Sequence, residues 1–87
     1  MKLIMCRKCL DIVRLIEIDR KNCDCEASWG YYKDDLNAVY GGEAIPIAIL
    51  NSSIISAIGN QPEEGDGRRF DAFIVPKQCD TFKREVT

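Results

Sequence analysis

The sequence predicts a mainly β domain, with room for one short helix, in which a zinc-ribbon-like hairpin packs on a small antiparallel sheet. Three observations lead there: two cysteine pairs near the N-terminus, β-branched and aromatic runs separated by turn residues, and a length of 87 residues, which holds a single core. A domain of this size buries only roughly 60–65% of the surface its unfolded chain exposes, so a staple is expected, and the cysteines are the candidates.

Residues 1–28 are expected to form the metal-binding hairpin. Leu10–Ile18 is rich in Ile and Val, which favours strand over a short helix, and Asp19-Arg20-Lys21-Asn22 is the polar turn that leads into the second cysteine pair. Residues 29–76 read as a β-rich core. Trp29 to Tyr32 begins a strand, Lys33-Asp34-Asp35 a turn, and Leu36 to Tyr40 a second strand or short helical turn ending at Gly41-Gly42. Glu43–Leu50 is a continuous apolar run that suits a strand buried on both faces, while Pro46 within it argues for an edge position or a bulge. Asn51-Ser52-Ser53 either caps one helical turn or forms a loop; in both cases Ile54, Ile55 and Ile58 are expected in the core. Gly59–Gly67 collects loop residues, Arg69–Val75 reads as the last clear strand, and residues 77–87 as a frayed tail.

Composition narrows the function classes. Hydrophobic residues make up 46% and charged residues 30% of the chain, as in a folded soluble domain, and the net charge of −2 argues against a generic nucleic-acid binder. The apolar stretch at 44–50 is too short to span a bilayer, and the first five residues leave no room for a secretory leader before Cys6. The expected setting is therefore the cytoplasm, where thiols stay reduced and clustered cysteines mean metal more often than disulfide. No histidine is present, which removes the commonest general base and every Ser-His or Cys-His pair; this alone does not exclude an enzyme using carboxylates and an added metal such as magnesium, but the remaining acids are generic, and the chain reads as a non-enzyme.

Cys6-Arg7-Lys8-Cys9 can aim two sulfurs at one ion from a tight turn, and Cys23-Asp24-Cys25 supplies the second pair after 13 intervening residues. Four soft ligands at these spacings favour Zn²⁺, with iron as the alternative, and a full set of thiolates makes the ion structural rather than catalytic. Neither pair is followed by the glycine usual in such turns: Leu10 follows the first and Glu26 the second. A redox C-x-x-C is disfavoured because no βαβ pattern surrounds it. Cys79 reads as a leftover thiol.

Other residues carry weaker signals. Asp34-Asp35 and Glu63-Glu64 read as solvated acids, and Gly41-Gly42 as a turn in preference to a phosphate cradle. Trp29 and Tyr31 fall on one strand face and Tyr32 on the other; with Tyr40, Arg68 and Arg69 they make a candidate surface for a flat ligand or partner, or else complete the small core.

The string Cys6-x-x-Cys9, Cys23-x-Cys25, Gly30-Tyr31, Asn37-Ala38-Val39-Tyr40-Gly41-Gly42 and Asn51-Ser52-Ser53 resembles small zinc-ribbon-like proteins encoded by bacteriophages, over roughly the first 55 residues. Members often carry glycine after the C-x-C pair, where this chain has Glu26. The resemblance implies an accessory, viral role in the host cytoplasm: a binding protein that inhibits a host protein or defence system or sequesters a signalling nucleotide, and that has no catalytic residues to carry over. The alternative from the residues themselves is a nucleic-acid-binding ribbon using Arg7, Lys8, Arg14, Arg20 and Lys21. An exposed edge strand would also permit a homo-oligomer.

Overall fold

The computed structural model describes residues 1–85, and the last two residues of the expected tail lie outside them. The described chain is mainly β. Its elements are β1 (Lys2–Cys6), β2 (Ile12–Arg14), β3 (Lys21–Asn22), β4 (Ser28–Tyr32), β5 (Ala38–Gly42), β6 (Ala44–Ile49), α1 (Asn51–Gly59), β7 (Ala72–Ile74) and β8 (Phe82–Arg84). The strands divide into two four-stranded sheets, ordered β2-β1-β6-β7 and β3-β4-β5-β8. The first is antiparallel throughout, whereas the second is mixed because β8 runs parallel to β5.

The chain crosses from one sheet to the other at Gly41-Gly42-Glu43. Gly41 lies beneath the Trp29 ring, where a Cβ would come within 2.3 Å of ring carbon, and Gly42 has φ +69° with Ala27 O only 2.0 Å from any added Cβ. The Glu43 N–H donates to Ala27 O (3.0 Å) and the Arg7 N–H to Glu43 O (3.0 Å), so this corner is pinned to both cysteine segments. The glycine pair is thus a turn in which a side chain at either position has no room.

The core fills the space between the sheets. Ile4 and Ala44 face Ala38, Tyr40 and Phe82 across it, together with Leu15 and Val75. Tyr40 and Phe82 meet edge to face at 5.2 Å. Phe82 is fully buried although it follows Pro76, so the segment expected to fray instead adds a strand and closes the core. Lys2 ties the same region together, donating from Nζ to Leu36 O and to Thr81 O.

Several expectations need correcting. Leu10–Ile18 contains only a three-residue strand, β2, which pairs with β1 and does not itself return to the second cysteine pair. Pro46 is neither at an edge nor at a bulge: β6 is flanked by β1 and β7, with Pro46 opposite Ile4. The position is tolerated because the missing N–H faces the end of β7, where the Val75 N–H still donates to Pro46 O (3.0 Å). Asn51-Ser52-Ser53 does start a helix, but the N-cap is Leu50, with no side-chain cap; Asn51 Oδ1 accepts from the N-terminal ammonium (2.8 Å). Ile55 and Ile58 are 67% and 66% exposed and Ile54 is half-buried; α1 touches the strands only lightly and buries Ala57 alone.

Candidate metal centre

Each cysteine pair sits in a turn that closes on itself. Cys6 ends β1, its N–H donating to Asp11 O (2.9 Å) while its carbonyl accepts from the Leu10 N–H (3.0 Å). Cys23 follows β3, its N–H donating to Ser28 O and its carbonyl accepting from the Glu26 N–H, both at 3.0 Å. The two turns are joined directly, because the Asp24 N–H donates to Asp11 Oδ2 (2.9 Å). Leu10 and Glu26 occupy the left-handed region, at φ +62° and +64°. The absence of glycine therefore does not alter the turn geometry; it only makes that geometry costly.

The four sulfurs converge. The Sγ atoms of Cys6, Cys9, Cys23 and Cys25 all lie within 4.8 Å of one another, with Cys6–Cys25 and Cys23–Cys25 each at 3.6 Å. A tetrahedral ion with metal–sulfur bonds of ~2.3 Å requires sulfurs about 3.8 Å apart, so the cage has the right size for one ion. Cys6 and Cys23 are buried, Cys9 is half-buried and Cys25 is exposed, which places the open side of the cage at Cys25.

The surroundings suit thiolates. The Lys8 N–H donates to Cys6 Sγ (3.4 Å) and the Ser28 N–H to Cys23 Sγ (3.3 Å). Ser28 is completely buried and its Oγ has no well-formed hydrogen bond. Its hydroxyl is nevertheless the largest influence on Cys6, which with help from the Cys9 and Lys8 amides is drawn down to about 6. Cys25 moves the other way: the Ala27 amide favours its thiolate, but local desolvation of the sulfur and its hydrogen bonds with the three neighbouring sulfurs outweigh it and push the thiol up to about 12. One thiolate is easily held here; four require a cation at their centre. The donor set thus fits a soft divalent metal ion, and with sulfur at all four corners no position remains for a substrate or water.

The other candidate residues are dispersed. Trp29 and Tyr31 do share a face, stacked at 6.3 Å, but Trp29 is buried, with the Arg20 guanidinium 4.1 Å from its centroid. Tyr40 is a core residue and Tyr32 packs against the core from the opposite face. Arg68 and Arg69 lie in the exposed loop between α1 and β7, and Arg68 borders a groove along α1 that none of the four rings lines. Of the basic residues grouped by sequence, Arg7 and Arg14 line separate cavities and Arg20 covers Trp29, so these three are spread over different parts of the surface.

One feature with a sequence signal was missed. Leu50, Ile55, Ile58, Phe70, Phe73 and Ile74, on α1, β7 and the segments beside them, are each 44–67% exposed, and of these Ile58 and Phe70 line one groove. The signal was the density of large apolar residues in a stretch that also carries the loop composition of 59–67. No helix among the described residues is long and apolar enough to cross a membrane. No protein-family model, curated protein or solved structure matches the chain.

Proposed function

We propose that the chain is a non-catalytic binding module stapled by one structural Zn²⁺ on Cys6, Cys9, Cys23 and Cys25. The convergence of the four sulfurs within 4.8 Å supports the metal most directly. Zinc is favoured over iron because a closed tetrathiolate needs no redox chemistry and tetrahedral sulfur coordination suits a d¹⁰ ion. The ion would hold together the ends of β1 and β3, one from each sheet, which is where a core this small needs a covalent-strength link.

The binding role is supported by the groove along α1, where the exposed Ile58 and Phe70 lie with the half-buried Ile54, since large apolar side chains left open side by side are a usual mark of a protein contact. In keeping with the phage resemblance, the proposed partner is a protein of the host cytoplasm. The test has two parts: metal analysis of freshly purified, reduced protein, expected to return one zinc per chain, and capture from a bacterial lysate with wild type and an Ile55→Asp/Ile58→Asp variant. A partner retained by both proteins equally would remove the α1 face from the proposal, and metal-free folded protein would remove the zinc.

A further inference from the structure

We propose that the cavity between the β5–Glu43 corner and the loop after β7 is a binding site for a small organic phosphate. The cavity measures about 700 Å³, within the roughly 300–1,000 Å³ of small-molecule sites. Its walls are of two kinds. One is apolar, formed by Ile45 and Pro46 of β6 with Ile74 and Val75 at the end of β7. The other is cationic: Arg7 from the first cysteine turn, Lys77 from the loop, and Lys83 and Arg84 from β8.

Charge separates this cavity from the others. Its four cations face two carboxylates, Glu43 and Asp80, an excess of two positive charges on a chain whose net charge is −2. The cavity beside Met1 and Arg14 sets Lys2, Arg14 and the N-terminal ammonium against Glu17, Asp34 and Asp35, and is balanced. The groove along α1 has Arg68 against Glu63 and Glu64, and is acidic. Of these three cavities, this is the one that draws an anion.

A phosphate monoester fits better than a carboxylate. It carries about −1.5 to −2 at neutral pH and presents three acceptor oxygens, which matches a cavity lined by four cations, two of them guanidinium forks. Arg84 is already positioned: its Nη2 donates to Gly42 O (2.6 Å) and its guanidinium lies 5.8 Å from the Tyr40 ring. The backbone of Arg7 is fixed too, since its N–H donates to Glu43 O and it lies in the turn between Cys6 and Cys9. The inference rests on the zinc reading only through Arg7. The apolar wall gives the organic part of the ligand somewhere to lie, which inorganic phosphate would not use.

The test is calorimetric titration of the full-length, metal-loaded chain with adenosine monophosphate, adenosine and inorganic phosphate as probes, with zinc content measured on each sample. Saturable binding of the monophosphate is expected, at least tenfold tighter than either adenosine or inorganic phosphate. Lys77→Gln/Lys83→Gln is expected to weaken it at least tenfold while keeping the circular dichroism spectrum and the zinc. Arg14→Gln, in the balanced cavity, should leave it unchanged. Absence of binding, equal weakening by Arg14→Gln, or indifference to the two lysines would overturn the proposal. Because the lysine variant keeps its metal, failure here is distinguishable from failure of the zinc reading.

Discussion

Leu10 and Glu26 stand one residue past the second cysteine of their respective turns and share one backbone conformation, φ +62° and +64°. Their N–H groups do the same work, each donating to the carbonyl of the first cysteine of its pair at 3.0 Å. The left-handed region costs an L-residue roughly 1–2 kcal/mol, and both side chains project into solvent, so little packing repays that cost.

Glycine at either position should therefore stabilise the protein. After allowing for the extra freedom glycine gains in the unfolded chain, Leu10→Gly and Glu26→Gly are each expected to add about 0.5–1 kcal/mol, or roughly 2–8 °C in Tm. Thermal melts of the zinc-loaded variants measure this, and the two changes should add because each acts within its own turn. A lowered Tm for both would mean that the turns depend on these side chains in some other way.

The cysteine cluster was legible in the sequence because the spacing within each pair is a local property, set within each turn. Alternation likewise placed Trp29 and Tyr31 on one face, since period two survives any tertiary arrangement. What could not be read was settled by distant partners. Phe82 becomes a core strand through parallel pairing with β5, some forty residues earlier in sequence. Pro46 sits in an inner strand only because β7 ends beside it. The Ile54-Ile55-Ile58 set looked like core because apolar periodicity implies a covering surface without showing which molecule supplies it.

Loss of the proposed zinc should destabilise the domain. Its largest fully buried side chains are only Phe82, Ile4, Leu15, Cys6 and Ser28, and Cys6 belongs to the cysteine cluster. A strong chelator, or Cys23→Ser, is expected to reduce bound zinc from one per chain to none and lower Tm by on the order of 20 °C. Cys79→Ser is the matched control: Cys79 is half-buried, its thiol beside Thr81 Oγ1 at 3.6 Å and away from the cage, and its replacement should leave the zinc content unchanged. A chelated protein that melts at the same temperature would show that the sulfurs are not the staple.

The sheet-crossing corner should tolerate no side chain. Gly41→Ala forces a methyl against the Trp29 ring, which can move by displacing Arg20, and should cost about 1–3 kcal/mol. Gly42→Ala meets the Ala27 carbonyl, which is backbone and holds the Glu43 N–H, in a φ already unfavourable to alanine; a larger loss is expected. Gly59 has open space around it at the end of α1, so Gly59→Ala should be neutral or slightly stabilising. Denaturant midpoints for the three variants give the ranking, and any order other than 42, 41, 59 contradicts it.

Asp34 gives the β4–β5 connection a pH signature. The Asn37 side-chain amide, then the Asn37 and Leu36 backbone N–H groups, hold its carboxylate, taking its pKa from the ordinary 3.8 down to about 2. Because the folded value lies below the unfolded one, the stabilisation is complete above pH 4 and disappears as pH falls through 2. Asp34→Ala should accordingly lower the denaturant midpoint by the same amount at pH 7 and pH 5, with the gap closing only below pH 4. A gap that shrinks between pH 7 and 5 would point to a different titrating group.

The isoleucines of α1 separate binding from folding. Ile55 and Ile58 are about two-thirds exposed, so Ile55→Lys and Ile58→Lys should each change stability by no more than about 0.5 kcal/mol. Ala57, the one buried residue of the helix, is the contrast: Ala57→Asp introduces a charge at a position 9% exposed and should cost about 2 kcal/mol or more. If the two lysine variants melted as early as Ala57→Asp, the exposed face would be part of the domain's own packing. If they keep the wild-type Tm while self-association or partner capture is lost, the apolar side chains are there for another molecule, and their burial occurs in a complex.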